Sequence, residues 1–336
     1  MKAVILSGGL GTRLRPFTLS LPKGLLPLAN RPFLEYQLLL LKKYKVNEVL
    51  FALSYMPEVI KDYFGKEKYG IKIYYTVEKG PLGTGGAVKK AESFIDQTTF
   101  ILNGDILSDI DLSSLFKFHR KRKADITISL IRVKDPTQYG LVKRSNIGRI
   151  SSFLEKPQEE EIVADTVNAG IYLFEPEVLK FIPEGVNYSL ERDLFPTILK
   201  NRGRLFSYIH TGYWQDVGTL ERYLQANFDL LEGRAPFKIK GVKERKGARC
   251  ICGNGSSLKG VKLRGNIILG EGVVIGRGVS LFNSIILDRA KIGDYSKIEG
   301  SVIGRNVIVK RSSQIYRMGI PDNSVVQDYT RTIWGS

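Results

Sequence analysis

The chain has 336 residues, 43% of them hydrophobic, enough to bury a large core in two domains. No apolar run reaches membrane-spanning length and no signal-peptide layout opens the chain. Cys250 and Cys252 alone cannot build a structural zinc site, so the reading is a cytoplasmic, reducing setting. The net charge of +17 is uneven, roughly +5 over residues 1–233 and roughly +12 over 234–336, which reads as a solvated basic face and not as a nucleic-acid or membrane footprint.

Apolar Ala3, Val4 and Ile5 predict a buried parallel strand over residues 2–6. It runs into Leu6-Ser7-Gly8-Gly9-Leu10-Gly11-Thr12-Arg13-Leu14-Arg15-Pro16, with Pro22-Lys23 behind. A glycine-rich turn after a strand bares backbone N–H groups that can wrap a phosphate chain, and Arg13 and Lys23 add positive charge. A dinucleotide fingerprint would need a third glycine where Leu14 stands. A P-loop would need Gly-Lys-Ser/Thr, absent both here and at Gly80 to Gly86. Gly8, Gly9 and Gly11 alone fit an ordinary βα turn; the added Thr12-Arg13, Arg15-Pro16 and Pro22-Lys23 favour phosphate chemistry.

Further strands are predicted at 48–52, 72–77, 99–102, 125–133, 168–174 and 204–209, with amphipathic helices between several of them, such as 33–43 and 58–64. This rhythm predicts an α/β, doubly wound, mainly parallel sheet whose ligands sit beyond the carboxyl ends of the strands. Gly80-Pro81-Leu82-Gly83-Thr84-Gly85-Gly86-Ala87 reads as a second glycine-rich loop before a helix over 88–94. It suits close approach to a base and ribose, with Thr84 as a polar handle; a helix cap is the plainer reading. Asn103-Gly104-Asp105 places a carboxylate at a strand end, where Mg²⁺ could be held together with substrate phosphates. Asp216, in Tyr213-Trp214-Gln215-Asp216-Val217-Gly218, is a second candidate, although turn chemistry explains either aspartate alone. In Glu155-Lys156-Pro157 a carboxylate could take vicinal sugar hydroxyls and a lysine could anchor a phosphate. Asn168-Ala169-Gly170 and Tyr139-Gly140 complete the candidates.

After Arg234-Ala235-Pro236 the rhythm changes. Apolar residues recur every six places at Leu263, Leu269, Ile275, Leu281 and Leu287, slip by one at Ile292, and continue through Ile298, Ile303, Val309 and Ile315. Gly270, Gly276, Gly293 and Gly304 follow their repeat leaders, where a corner needs a residue without a β-carbon. Such a hexapeptide period predicts a parallel β-helix.

In this order the motifs resemble the sugar-1-phosphate nucleotidylyltransferases over essentially the whole chain. The Gly-Pro-Leu-Gly-Thr, Asn-Gly-Asp and Gly-Tyr-Trp-x-Asp-Val-Gly segments look most like the mannose-1-phosphate guanylyltransferases. The resemblance implies a Rossmann-like nucleotidyltransferase domain over 1–232 and a left-handed β-helix over 233–336, the latter mediating homo-oligomerisation or regulation. It implies the reaction of an NTP with a sugar 1-phosphate to give NDP-sugar and pyrophosphate. It assigns Arg13, Lys23, Asp105 and Asp216 to catalysis, the two aspartates as Mg²⁺ ligands. Leu6, Gly8, Gly9, Gly11, Thr12, Gly83, Thr84, Asn103 and Gly104 would line the nucleotide site. Gly140, Glu155, Lys156, Asn168 and Gly170 would line the sugar-phosphate site. Gly85 departs from the alanine common in guanylyltransferases, so uridylyl or thymidylyl transfer to glucose 1-phosphate stays open. A catalytically silent relative is the other alternative, against which all four charged residues stand. An added acyltransferase activity is disfavoured because His119 and His210 both precede the repeats.

Overall fold

The computed structural model describes residues 1–133, 140–155, 165–245 and 247–332. By contact the chain divides into two compact units, one of Met1–Gly9 and Leu34–Trp214, the other of Leu10–Phe33 and Gln215–Ser336.

The first unit is a sheet flanked by helices. Its main strands are β1 (Lys2–Ser7), β2 (Glu48–Leu53), β3 (Ile71–Val77), β4 (Thr99–Asn103), β5 (Ile126–Arg132), β6 (Gly140–Arg144), β7 (Ile150–Glu155), β8 (Thr166–Phe174) and β9 (Leu205–Ile209). Helices α1 (Phe33–Lys43), α2 (Pro57–Phe64), α3 (Gly83–Lys90), α4 (Leu112–Arg122) and α5 (Phe195–Lys200) lie between them. The seven strands predicted for this half all form, and α1 has the predicted bounds. The order β4-β1-β2-β3 is parallel, with Leu6 level with both Ala52 and Asn103. Ala3, Val4 and Ile5 are fully buried, as a strand covered on both faces requires.

Parallel pairing does not continue throughout. β8 runs antiparallel to both β4 and β5, and β6 and β7 form an antiparallel hairpin. The few residues between β6 and β7 are too short for the crossover that parallel strands require. A second departure concerns α3, which begins at Gly83 and not near residue 88. Tertiary bonds override glycine's weak helix propensity there: the N–H groups of Gly85 and Gly86 both donate to Tyr188 O, at 2.7 and 3.1 Å. A β-carbon at Gly85 would lie 2.9 Å from that carbonyl, which accounts for glycine at this position.

In the second unit the repeats stack as parallel strands on three faces. One face holds the rows Leu263–Leu281–Ile298–Ile315, another Leu269–Ile286–Ile303–Ile320, and the third Ile275–Ile292–Val309–Val326. The row leader is therefore Ile286, where the six-residue count had placed Leu287. Corner bonds between successive coils join residues 17 apart, so one side of these coils spans five residues instead of six. That shorter side recurs at Leu281 to Ile286, Ile298 to Ile303 and Ile315 to Ile320, whereas the equivalent side Leu263 to Leu269 keeps six residues through a bulge after Arg264.

The corner glycines lack a β-carbon for the expected reason, that there is no room for one, and the neighbour is an aspartate of the next coil. A β-carbon on Gly270, Gly276 or Gly304 would fall 2.2–2.6 Å from an aspartate oxygen of the next coil. The left-handed backbone falls two places after these corners, on Gly272, Gly278 and Asn306, and at the equivalent place of other corners on Arg289, Tyr295, Ser312, Asn323 and Tyr329. Buried Ser284, Ser296 and Ser313 donate to carbonyls, each reaching into the following coil.

Candidate active site

In the sheet unit the candidate residues gather at the carboxyl ends of β1, β2 and β4. The Gly104 N–H donates to Leu6 O at 2.8 Å, and a β-carbon at Gly104 would lie 2.6 Å from the same oxygen. The turn carrying Asp105 is thus pinned to the end of β1, a contact that only glycine permits. A β-carbon on Gly8 would sit 3.2 Å from Ser54 Cβ and 3.6 Å from Glu78 Oε1. Gly170, at φ +71°, packs on Asn103: its β-carbon position is 2.8 Å from Asn103 Nδ2. Leu6, Gly8, Asn103, Gly104 and Gly170 therefore meet through direct neighbours. Among the described residues, the buried Asn103 Oδ1 has no hydrogen-bond partner.

Two polar handles are committed internally. Asn168 Oδ1 accepts the Gly170 N–H at 3.0 Å, and its Nδ2 donates to Tyr172 Oη at 2.8 Å. Thr84 Oγ1 donates to Glu191 Oε2 at 3.1 Å and accepts the Leu190 N–H at 2.9 Å. Gly83, at φ +70°, faces Tyr188 O with no room for a side chain. Gly140 opens β6 and Glu155 ends β7. Lys156 and Tyr139 lie outside the described residues.

The second unit holds the other charged candidates. After Gly11 (φ +60°), residues 12–25 form three short 3₁₀ turns, Thr12–Leu14, Phe17–Leu19 and Lys23–Leu25. Thr18 Oγ1 donates to Gly11 O at 2.9 Å, and the β-carbon position of Gly11 is 3.4 Å from Lys23 Cβ. Arg13 and Asp216 converge: from one point, the β-carbon position of Gly218, Asp216 Oδ1 is 2.9 Å away and Arg13 Nη2 3.0 Å. Asp216 Oδ2 also takes a hydrogen bond from Arg222 Nη1 at 2.6 Å. Arg222 lies one turn into α6 (Leu220–Glu232), a helix capped by Thr219.

Three polar side chains beside the candidates escaped the sequence reading. Glu78 follows β3 at the strand edge, accepts the Leu82 N–H at 3.2 Å, and has its pKa raised by burial. The strand-end rule that found Asp105 would have found it. Arg222 lies six residues after Asp216, just inside a capped helix, and Glu191 had no sequence signal. An open groove of about 760 Å³ on the β6–β7 hairpin, lined by Ser145, Ile147, Arg149, Leu199 and Arg202 among others, contains none of the candidates.

The donor chemistry fits Mg²⁺. Asp105, in the sheet unit, and Asp216, in the second unit, each offer hard carboxylate oxygens of the kind Mg²⁺ takes alongside substrate phosphates.

Comparison with known proteins identifies the family. Residues 2–233 match the family described as nucleotidyl transferase, and residues 250–333 match the GMPPB C-terminal domain. The mannose-1-phosphate guanylyltransferase of Mycobacterium tuberculosis is 37% identical over 293 residues, 86% of this chain and 80% of the relative. That of Arabidopsis thaliana is 34% identical, covering 95% and 90%. A UTP–glucose-1-phosphate uridylyltransferase of Synechocystis is 31% identical, covering 94% and 90%. The crystal structure of HddC from Yersinia pseudotuberculosis complexed with GMP-PN is similar with a TM-score of 0.59 at 28% identity, covering 67% of this chain and 97% of that one. With two thirds of its length matched by the family and curated relatives aligned along most of the rest, this chain belongs to the nucleotidyl transferase family.

Proposed function

We propose that the chain is a mannose-1-phosphate guanylyltransferase, joining GTP and mannose 1-phosphate into GDP-mannose with release of pyrophosphate. The relatives named above support the reaction, and Glu78 supports the base. A half-buried carboxylate beside Gly8 can accept both N1–H and N2–H of guanine, a donor pair that adenine, uracil and thymine lack. Burial raises the Glu78 pKa, and two donated hydrogen bonds would favour its charged form when the base binds.

In this reading an oxygen of the sugar phosphate attacks the α-phosphorus in line and pyrophosphate departs. No enzyme nucleophile is needed, so positioning and electrostatics supply the rate. Arg13 and Lys23 neutralise charge on the triphosphate and on the leaving group. Asp105 and Asp216 would hold Mg²⁺, which supplies further charge neutralisation when bound, and Arg222 orients Asp216. Gly8, Gly104 and Gly170 keep backbone close to the substrates, and Lys156 anchors the incoming phosphate. The repeat unit is assigned to self-association, supported by exposed Val274, Ile308 and Val325, which share one row of a sheet face with Lys291 between the first two.

The test is pyrophosphate release across the common NTPs, ITP and several hexose 1-phosphates. GTP with mannose 1-phosphate should dominate. ITP, lacking the N2 amine, should lose about tenfold, and Glu78→Gln should narrow the GTP preference by about 10–100-fold. Preference for UTP or dTTP with glucose 1-phosphate would overturn base and sugar while keeping the reaction class.

A further inference from the structure

Glu191 lies in the π-helical turn Leu190–Leu194, a distortion that recurs at functional sites. Its Oε1 accepts from Tyr172 Oη at 3.0 Å and Asn168 Nδ2 at 3.4 Å. Its Oε2 accepts from Thr84 Oγ1 and Ser189 Oγ, both at 3.1 Å. These four donors are all neutral. Two of them belong to segments assigned to different substrates: Thr84 lies in the first turn of α3, on the nucleotide side, and Asn168 fixes Gly170, on the sugar side. The segments are far apart in sequence and nearly meet at one carboxylate.

We infer that Glu191 is a positioning residue that sets the nucleotide and sugar-phosphate subsites relative to each other, through Thr84 on one oxygen and Asn168 with Tyr172 on the other. The inference rests on the subsite assignment proposed above. A carboxylate suits this task because all its lone pairs accept, and bonds to an ionised acceptor are about twice as strong as neutral ones. Tyr172 is fully buried and its hydroxyl pKa is raised well above normal, mainly by that burial, so it stays a donor.

The geometry also says what glutamine would do. Asn168 cannot turn its amide without releasing the Gly170 N–H, so a glutamine must present its oxygen to Asn168 and Tyr172. Its nitrogen would then face Thr84 Oγ1, which accepts only the Leu190 N–H and can rotate to accept a second donor, and Ser189 Oγ, whose lone pairs are taken by the Glu191 and Arg192 N–H groups. Glu191→Gln should therefore preserve the bridge, and Glu191→Ala should remove it.

The experiment uses the full chain and two readouts. Glu191→Ala should raise the KM of both substrates and lower kcat/KM by about 100-fold, the scale of a 1 Å misplacement, while Glu191→Gln stays within about threefold of the parent. Thr84→Val, which cuts one arm of the same carboxylate, should raise the KM of the nucleotide more than that of the sugar phosphate. Amide hydrogen exchange of the unliganded protein supplies the second readout. Glu191→Ala should speed exchange both at Gly85 and Gly86 and at Gly170. Exchange rising on only one side, or Glu191→Gln as inactive as Glu191→Ala, overturns the positioning role. Should Glu191→Ala not fold, Thr84→Val cuts one arm only; faster exchange at Gly170 is then the expected result and unchanged exchange the contrary one. A parent protein inactive on every substrate pair would overturn the proposed reaction, and the exchange experiment would still decide the role of Glu191.

Discussion

In the repeat unit, the side-chain bonds that hold the corners join residues 17 apart, as when Asp288 accepts the Glu271 N–H and Asp294 the Arg277 N–H. In the sheet unit, the bond from Thr84 to Glu191 joins residues 107 apart. A stacked coil touches only its neighbours, so losing one corner bond should stay local. Strand-end residues share a hub, so one substitution there should reach several loops. The solenoid has one marked exception. Ser20 Oγ donates to Asp322 Oδ2 at 2.7 Å, Arg305 Nη2 donates to Ser20 Oγ at 3.2 Å, and Asn30 Nδ2 donates to Leu269 O at 2.7 Å. A segment with little regular structure, carrying Arg13 and Lys23, is thereby racked on a regular one. Four acidic side chains of the repeats, Asp288, Asp294, Asp322 and Asp328, are spent on corner N–H groups.

The hardest test of this contrast is on that racked segment. Arg13→Ala should cut turnover by about 10³–10⁵-fold with the melting temperature unchanged, since the side chain acts on charge and not on packing. Pyrophosphate release at normal rates by the folded variant would remove Arg13 from the mechanism. Gly218→Ala should cost about 100-fold, because its methyl would sit within 3.0 Å of both Asp216 Oδ1 and Arg13 Nη2.

A paired substitution sharpens the comparison at a smaller scale. Asp322 and Asp294 are equivalent corner acceptors, to the Arg305 and Arg277 N–H groups. Asp322→Ala should cost about 1–3 kcal/mol in denaturant titration, the penalty of a part-buried donor abandoned, and Asp294→Ala about 0.5–1.5 kcal/mol, since water reaches the Arg277 N–H. Only Asp322→Ala also releases Ser20, so only it should slow turnover, by about tenfold, or 1.4 kcal/mol of barrier. Equal kinetics in the two variants would show that the rack has no influence on the segment it holds.

Much of this was legible in the sequence because the signals were periodic or local. Apolar runs gave the seven strands, and a six-residue recurrence gave the solenoid with its row leaders nearly correct. Legibility failed where a distant backbone decided the outcome. Tyr188 O draws Gly85 and Gly86 into helix, and no local property of a Gly-Thr-Gly-Gly run foretells that. Leu287 passed for a row leader because it too is buried; only pairing with Leu269 and Ile303 selects Ile286. Among site residues, those at strand ends could be named from position alone. Glu191 could not, because its role exists only through partners brought in from two other segments.

The mildest prediction separates the units by acid. His119 is fully buried in the sheet unit, with Nδ1 at 2.8 Å from Thr127 Oγ1 and Nε2 at 3.0 Å from Glu175 Oε1. Burial lowers its pKa, only partly opposed by the Glu175 carboxylate. Above the ordinary histidine range both folded and unfolded chains keep it neutral, and its contribution is fully present. As pH falls through about 6.5 the unfolded chain takes the proton first, so stability drops until the lower folded pKa is passed. The sheet unit should thus show faster amide exchange around α4 and β5 at pH 5.5 than at pH 7.5, after correction for intrinsic rates. The repeats, which contain no histidine, should show no such change over the same interval. His119→Gln should abolish the difference. Acid sensitivity that persists in this variant, or that appears equally in the coils, would place its source elsewhere.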